Sequence, residues 1–420
     1  MLQLRRRLPQ NRYGETPSKK QTGGKQMLKL QLRKHDAPSY RTTVVEFPAV
    51  EPDLQKEMEK IGVGITTEKL CLVDSVQGDN GSLQALAGTL VNADEVQYLA
   101  KRMDSFDKNE LHTFYAVAEH EKLSEVKDLI NLTFNLHCYA LISEFSDVSA
   151  IGRRYELCRQ TALSLNELES TTYASIGRRL IGHYKGAVTS YGVLYPTGNT
   201  PEQAYNGEQF PEYHWRDDAV ATVTLEYGES HSNAKHEYLY FPCWEIEIEK
   251  AVNRLGAYTP CDCRTDLSFE GMSGELYQLF TEEHPLSAHL HTLNSLARCY
   301  TGFDEQTRNA FHAVLEMIQP KTPKEAVLIA DNFYEFTVVP GIKTPMEYGR
   351  YMIIDSGRYE FDANLEEYID FKRYGEHRIQ IENGSFTEYG YIAYWGCTPA
   401  VEELLRQEDS QSMGIGGMQL

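Results

Sequence analysis

The sequence predicts an α+β protein in which one module is written twice in tandem. Three observations lead there: residues repeat at a nearly constant offset along the chain, each half opens on two strand-like runs before an amphipathic helix, and each half closes on an aromatic strand after a glycine. Offsetting the chain by 197 pairs Leu99-Ala100 with Leu296-Ala297, Phe106-Asp107 with Phe303-Asp304, Phe114 with Phe311, Asn135 with Asn332 and Gly152-Arg153 with Gly349-Arg350. An offset of 198 aligns the ends: Gly177, Gly186 and Tyr191-Gly192 fall on Gly375, Gly384 and Tyr389-Gly390. Near the starts an offset of 194 pairs Phe47-Pro48 with Phe241-Pro242 and Gly62 with Gly256. The expected organisation is a basic flexible tail over 1–26, a first module over 27–195, a linker over 196–218, a second, acidic module over 219–395, and a C-terminal helix with a flexible tail over 396–420.

The elements follow in chain order. KLQLRK and TTVVEF in the first module, and TVTLEY and EYLYF in the second, read as strand pairs. Leu54, Met58 and Ile61, like Ile248, Val252 and Leu255, keep the i, i+4, i+7 spacing of one helix face, and Gly62 and Gly256 suit the position just past a helix end. The middle of each module reads as helical, with capping boxes at Asp107 with Glu110, Thr322-Pro323 with Glu325, and Thr344-Pro345 with Glu347; Asp147 takes the place of Thr344 in the first module. YGVLY and YGYIAY are the closing strands, after turns at Gly186 and Gly384.

At 420 residues and 41% hydrophobic the chain can bury a core without disulfide or metal staples. Its eight cysteines are irregularly spaced, which fits reduced thiols in a cytosol. The basic, polar opening lacks the apolar region of a signal peptide, and no window is apolar over the length of a membrane span, so a cytoplasmic, soluble protein is expected. The formal charge of −20 is uneven: residues 1–26 hold 7 basic and 1 acidic groups (+6), 27–195 hold 18 and 23 (−5), and 196–420 hold 16 and 37 (−21). Such acidity serves solubility, and it also repels nucleic acid and membranes while attracting basic partners.

Catalytic templates fail. There is no dinucleotide or phosphate glycine loop, no nucleophile elbow and no His-Glu-x-x-His. Cys261 and Cys263 with His284, His289 and His291 are the best metal candidate, but Cys-x-Cys is an unusual spacing and the first module offers only Cys71, so surface histidines and thiols that bind nothing are the better reading. Neighbouring carboxylates such as Glu366-Glu367 point apart on a helix and form no acid–base pair by spacing. Tyrosine, 27 residues of it, interleaves with acids at Tyr334-Glu335, Glu347-Tyr348, Tyr359-Glu360, Glu367-Tyr368 and Glu388-Tyr389. Packing of narrow cores explains such rings more simply than contact does.

The segment LEEYIDFKRYGEHRIQIENGSFTEYGYIAY, residues 365–394, resembles the C-terminal end of ArdA-type antirestriction proteins, where YID-x-x-x-YG precedes a glycine turn and an aromatic strand. MLKLQLRKHDAPSYRTTVVEFPAV, FDEQTRNAFHAVLE and VVPGIKTPMEYGRYMIIDSG are similar to that family's first strand pair and helical middle. The resemblance implies a non-enzymatic DNA mimic, carried by mobile elements, that occupies the DNA-binding groove of type I restriction-modification complexes, with no cofactor and no metal. It also implies an elongated, three-part module, usually dimeric; two modules in one chain would make a pseudo-dimer or support a homodimer. The partner-binding acidic surface is then expected at Glu335, Glu347, Asp355, Glu360, Asp362, Glu366, Glu367, Asp370, Glu376, Glu382 and Glu388, facing outward from a thin aromatic sheet, with no direct nucleic-acid binding by the folded body and no membrane contact. The first module has Arg178, Arg179 and Lys185 where the second has Glu376, His377 and Asn383, so only the second is DNA-like in charge. The competing reading is an adaptor or structural protein that uses the repeated module for other contacts.

Overall fold

The structure is a computed structural model that describes residues 28–36, 38, 41–64, 70–77, 81–143, 147–159, 172–183, 185–213, 218–228, 234–269, 272, 274–396 and 405. The expected tail over 1–26 lies outside the described residues, as do the expected C-terminal helix and tail over 396–420 apart from residues 396 and 405. The chain divides into two compact units between residues 215 and 216.

In the first unit β1 (Leu28–Lys34), β2 (Thr43–Phe47), β3 (Leu70–Gln77) and β4 (Leu90–Asn92) form an antiparallel sheet in the order β2-β1-β3-β4. Alternation places Leu28, Leu30 and Leu32 in the core. Helix α1 (Glu51–Lys60) packs beside β2, burying Leu54 and Met58 as the spacing predicts. Helices α2 (Ala93–Asp104), α3 (Lys108–Glu121) and α4 (Val126–Phe134) make the middle, and the Asp107–Glu110 capping box opens α3. The unit ends with β5 (Tyr139–Ile142), helices α5 (Val148–Arg159) and α6 (Tyr173–His183), β6 (Ala187–Thr189) and β7 (Gly192–Pro196), with strand order β5-β7-β6.

The second unit runs in the same order: β8 (Ala221–Tyr227), β9 (Lys235–Phe241), α7 (Glu245–Leu255), β10 (Arg264–Phe269), α8 (Leu290–Thr301), α9 (Glu305–Ile318), α10 (Pro323–Asp331), β11 (Phe336–Pro340), α11 (Pro345–Arg350), α12 (Phe371–Glu382), β12 (Ser385–Phe386) and β13 (Gly390–Tyr394). Its sheets are β10-β8-β9 and β11-β13-β12, all antiparallel.

One device recurs at offset positions. Gln97 of α2 accepts from the Ala49 amide at 2.9 Å and donates to the Ala49 carbonyl at 2.6 Å and to Glu51 at 3.0 Å, while Lys101 pairs with Glu51 at 2.9 Å. Asn294 of α8 does the same with the Cys243 amide and carbonyl and with Glu245, each at 2.9 Å, and Arg298 and His291 contact Glu245. Each amide clamps the backbone just after the cis Phe47-Pro48 or Phe241-Pro242 bond. Such buried backbone groups are costly to leave unpaired.

Several expectations change. VVP, the head of the segment likened to the family's helical middle, is the end of strand β11, because FTVVP pairs with β13 along Phe336↔Tyr394 to Pro340↔Gly390. Thr322 caps α10 by accepting from the Glu325 amide, but Glu325 accepts from the Lys321 amide, so only half of that box forms. The polar segment after β7, read as a linker, is bonded to the first unit: Asn135 exchanges hydrogen bonds with Glu202 and Asn131 with Tyr205, and Phe210 stacks on Tyr98 and Tyr205. At Gly186 and Gly384 the left-handed residues are their predecessors, Lys185 (φ 55°) and Asn383 (φ 49°). The glycines are needed for space: a Cβ would lie 2.5 Å from the Tyr195 ring or 2.1 Å from the Tyr391 hydroxyl. Among the described residues, no helix is long and apolar enough to cross a membrane.

The clamps yield a test. Gln97→Ala or Asn294→Ala strands a buried backbone amide and carbonyl, so each should cost about 1–3 kcal/mol in chemical denaturation, whereas Ser295→Ala, on the exposed side of α8, should fall within about 0.5 kcal/mol.

Candidate functional site

The acidic residues singled out by sequence fall between β11 and β13, except Glu335 just before β11, and the local fold there rests on a helix crossing without side chains. A Cβ on Gly349 would sit 1.9 Å from the Phe371 carbonyl oxygen, and one on Gly375 would sit 1.8 Å from that of Pro345. Helices α11 and α12 therefore meet backbone to backbone. Thr344 and Glu347 cap α11 reciprocally, Pro345 takes its first position, and a π-helical turn, Tyr351–Asp355, extends it. A 3-10 helix, Ala363–Tyr368, capped by Asp362, leads to α12, capped by Asp370.

Glu382 corrects the expectation of an outward-facing acidic set. Its side chain is 1% exposed and lies under the crossing, where its Oε2 accepts from the Tyr348 hydroxyl at 2.6 Å and the Tyr391 hydroxyl at 2.7 Å, and its Oε1 pairs with Arg378 one turn earlier on α12. Tyr348 and Tyr391 stack with ring centroids 3.8 Å apart. A buried carboxylate requires such partners. Burial, and then the bond to Glu382, push both phenols above the ordinary tyrosine range. The group holds α11, α12 and β13 together.

The other ten acids are sorted by what they already hold. Glu335 accepts from the Tyr394 hydroxyl at 2.9 Å. Glu347 accepts from the amides of Lys343 and Thr344, and those bonds, with that of the Thr344 hydroxyl, keep its carboxyl below the usual range. Asp362 and Asp370 accept amides from Asn364 and Arg373 as helix caps. Glu366 meets Arg350 at 3.1 Å, Asp355 lies 4.0 Å from the same arginine, and Glu376 lies 3.8 Å from Lys372. Glu360, Glu367 and Glu388 are exposed and engage no partner. Most of this set stands on helical segments, not on the thin sheet expected for it. Over residues 335–388 the eleven acids are interspersed with six basic residues (Lys343, Arg350, Arg358, Lys372, Arg373, Arg378), a net of −5, so charge alternates along the face.

Aromatic and apolar side chains lie among these charges. Tyr368 is 83% exposed, and Met346, Tyr359, Leu365 and Ile381 are also exposed. Tyr359 and Tyr374 share a hydroxyl–hydroxyl bond of 2.9 Å, and burial with that bond raises Tyr374 to about 12. Elsewhere Cys261 is exposed and Cys263 buried, and among the described residues no group of three or more His, Cys, Asp or Glu is arranged to hold a metal. Sequence reasoning missed Arg378, Tyr348 and Tyr391 as partners of Glu382. The Arg378–Glu382 spacing of four on a helix was the one available signal.

Residues 231–393 match the family described as Antirestriction protein (ArdA). The matched span contains all eleven acidic positions. No curated protein matches the chain.

The cluster under the crossing sets a pH dependence. Both phenols have folded pKa values above their unfolded ones, so their stabilising effect is fully present below the ordinary tyrosine pKa of about 10 and is lost as pH rises from there. Denaturant midpoints should therefore drop between pH 8 and pH 11, less steeply in Tyr348→Phe/Tyr391→Phe. Glu382→Gln leaves Arg378 without its countercharge and should cost on the order of 3 kcal/mol, against about 0.5 kcal/mol or less for the exposed Glu367→Gln.

Proposed function

We propose that the protein inhibits type I restriction-modification enzymes by occupying the groove that would hold DNA, its carboxylates standing where phosphates would. The family match over the acidic half carries this reading, and the exposed, unpartnered Glu360, Glu367 and Glu388 are the groups best suited to meet arginines and lysines of the enzyme. A carboxylate already committed to a cap or an intramolecular pair has less to offer, since a partner's cation must first displace what it holds. Duplex DNA is bound through rows of Lys and Arg, so competing carboxylates gain Coulomb attraction and counterion release from the same groups. The exposed rings beside them, Tyr359 and Tyr368, supply apolar contact that phosphates lack and favour a protein partner. No bond is made or broken in this mode of action.

Expression in a host with a type I system should raise the plating efficiency of unmodified phage by orders of magnitude; unchanged plating across several such hosts would refute the proposal. Glu360→Gln/Glu367→Gln/Glu388→Gln keeps size and hydrogen-bonding shape. Each exposed pair contributes about 0.2–1 kcal/mol, so the triple variant should weaken binding to the purified restriction complex by roughly 3- to 150-fold and flatten its salt dependence. Equal affinity and an equal salt slope would place the contact elsewhere, as an adaptor role would.

A further inference from the structure

The mimicry proposed above leaves unused a cationic face on the first unit. Helices α5 and α6 cross there as α11 and α12 do: a Cβ on Gly152 would lie 1.9 Å from the Tyr173 carbonyl oxygen, and one on Gly177 would lie 2.0 Å from that of Val148. An arginine follows each glycine. Arg153, Arg178 and Arg179 flank the crossing, and Lys185 lies just past α6; all four are exposed, and among the described residues their side chains engage no hydrogen bond or ion pair. Residues 172–196 contain neither Asp nor Glu, and Asp147 at the start of α5 accepts from the Ser149 amide at 2.8 Å. At the matching position of the second unit Arg350 is held by Glu366, so there the cation is neutralised within the fold.

Cations gathered at one crossing repel one another, so the fold gains nothing by placing them together. They are available to an external anion. Arginine's planar fork suits phosphate oxygens. Helix α6 shows no exposed large hydrophobic side chain, which fits the polar, cationic character of a nucleic-acid contact better than a protein–protein core.

We propose that the α5–α6 face binds the phosphodiester backbone of nucleic acid without sequence preference. The net charge of −20 led to the opposite expectation for the folded body. Screening acts within about 8 Å at physiological ionic strength, however, so a ligand docked on this face responds chiefly to the four nearby cations. It does not depend on the restriction target, and its test does not involve that enzyme.

The full-length chain is titrated against a fluorescein-labelled duplex by anisotropy, from low to physiological salt. Four neutralised phosphates correspond to a log–log salt slope of about −3.6 for B-DNA. Arg153→Gln/Arg178→Gln/Arg179→Gln/Lys185→Gln should weaken binding at least tenfold and reduce the slope by about 3, while Arg153→Lys/Arg178→Lys/Arg179→Lys should keep the slope. Circular dichroism confirms that each variant is folded. A tail variant, Arg5→Gln/Arg6→Gln/Arg7→Gln/Arg12→Gln, separates the face from the basic N-terminal segment. The proposal is overturned if no duplex binds at the lowest salt, if the four-glutamine variant retains the wild-type slope, or if the tail variant alone abolishes binding. It is equally overturned if those four substitutions disrupt self-association in sedimentation and leave duplex binding intact, which would make the face a docking site for an acidic protein surface.

Discussion

Two pairs of glycines set the geometry on which the charged faces depend. Where α11 meets α12, and α5 meets α6, each backbone approaches a carbonyl oxygen of its neighbour so closely that any Cβ would overlap it. Larger residues would force the helices apart, and in the second unit Tyr348, Tyr391 and Arg378 could then no longer converge on Glu382. The crossing also decides where the neighbouring residues point. Arg350 and Glu376 follow Gly349 and Gly375 directly, as Arg153 and Arg178 follow Gly152 and Gly177. One packing solution thus carries arginine after the first glycine in both halves and opposite charge after the second.

Carboxylates of identical chemistry take different roles here because of what each can reach. Glu382 is dry and pinned by two phenols and a guanidinium; Glu347, Asp362 and Asp370 satisfy amides at helix starts; Glu360, Glu367 and Glu388 are left to solvent. A helix start has orphan donors that a carboxylate satisfies locally, which fixes those three acids for structural reasons. The unpartnered acids keep their full attraction for an external cation. The same sorting applies to the cations: Arg350 and Arg378 have internal partners, and Arg153, Arg178 and Arg179 do not.

The sequence by itself determined the order of strand pairs and helices, the caps at Asp107 and Thr344, and the offset that relates the halves, because these rest on local periodicity, capping chemistry and residue identity. It also showed the ArdA resemblance in residues 365–394, which lie almost wholly within the matched span. Tertiary structure alone decided that FTVVP is a strand, since its pairing partner lies fifty residues on, and that residues 197–213 are bonded to the first unit through Asn131 and Asn135. It alone decided which acids are free. Glu382 and Glu388 look alike in sequence, and only the convergence of Tyr348, Tyr391 and Arg378 around one of them buries it. Burial is a property of what the rest of the chain brings near, and a carboxylate's own sequence neighbours carry little of that information.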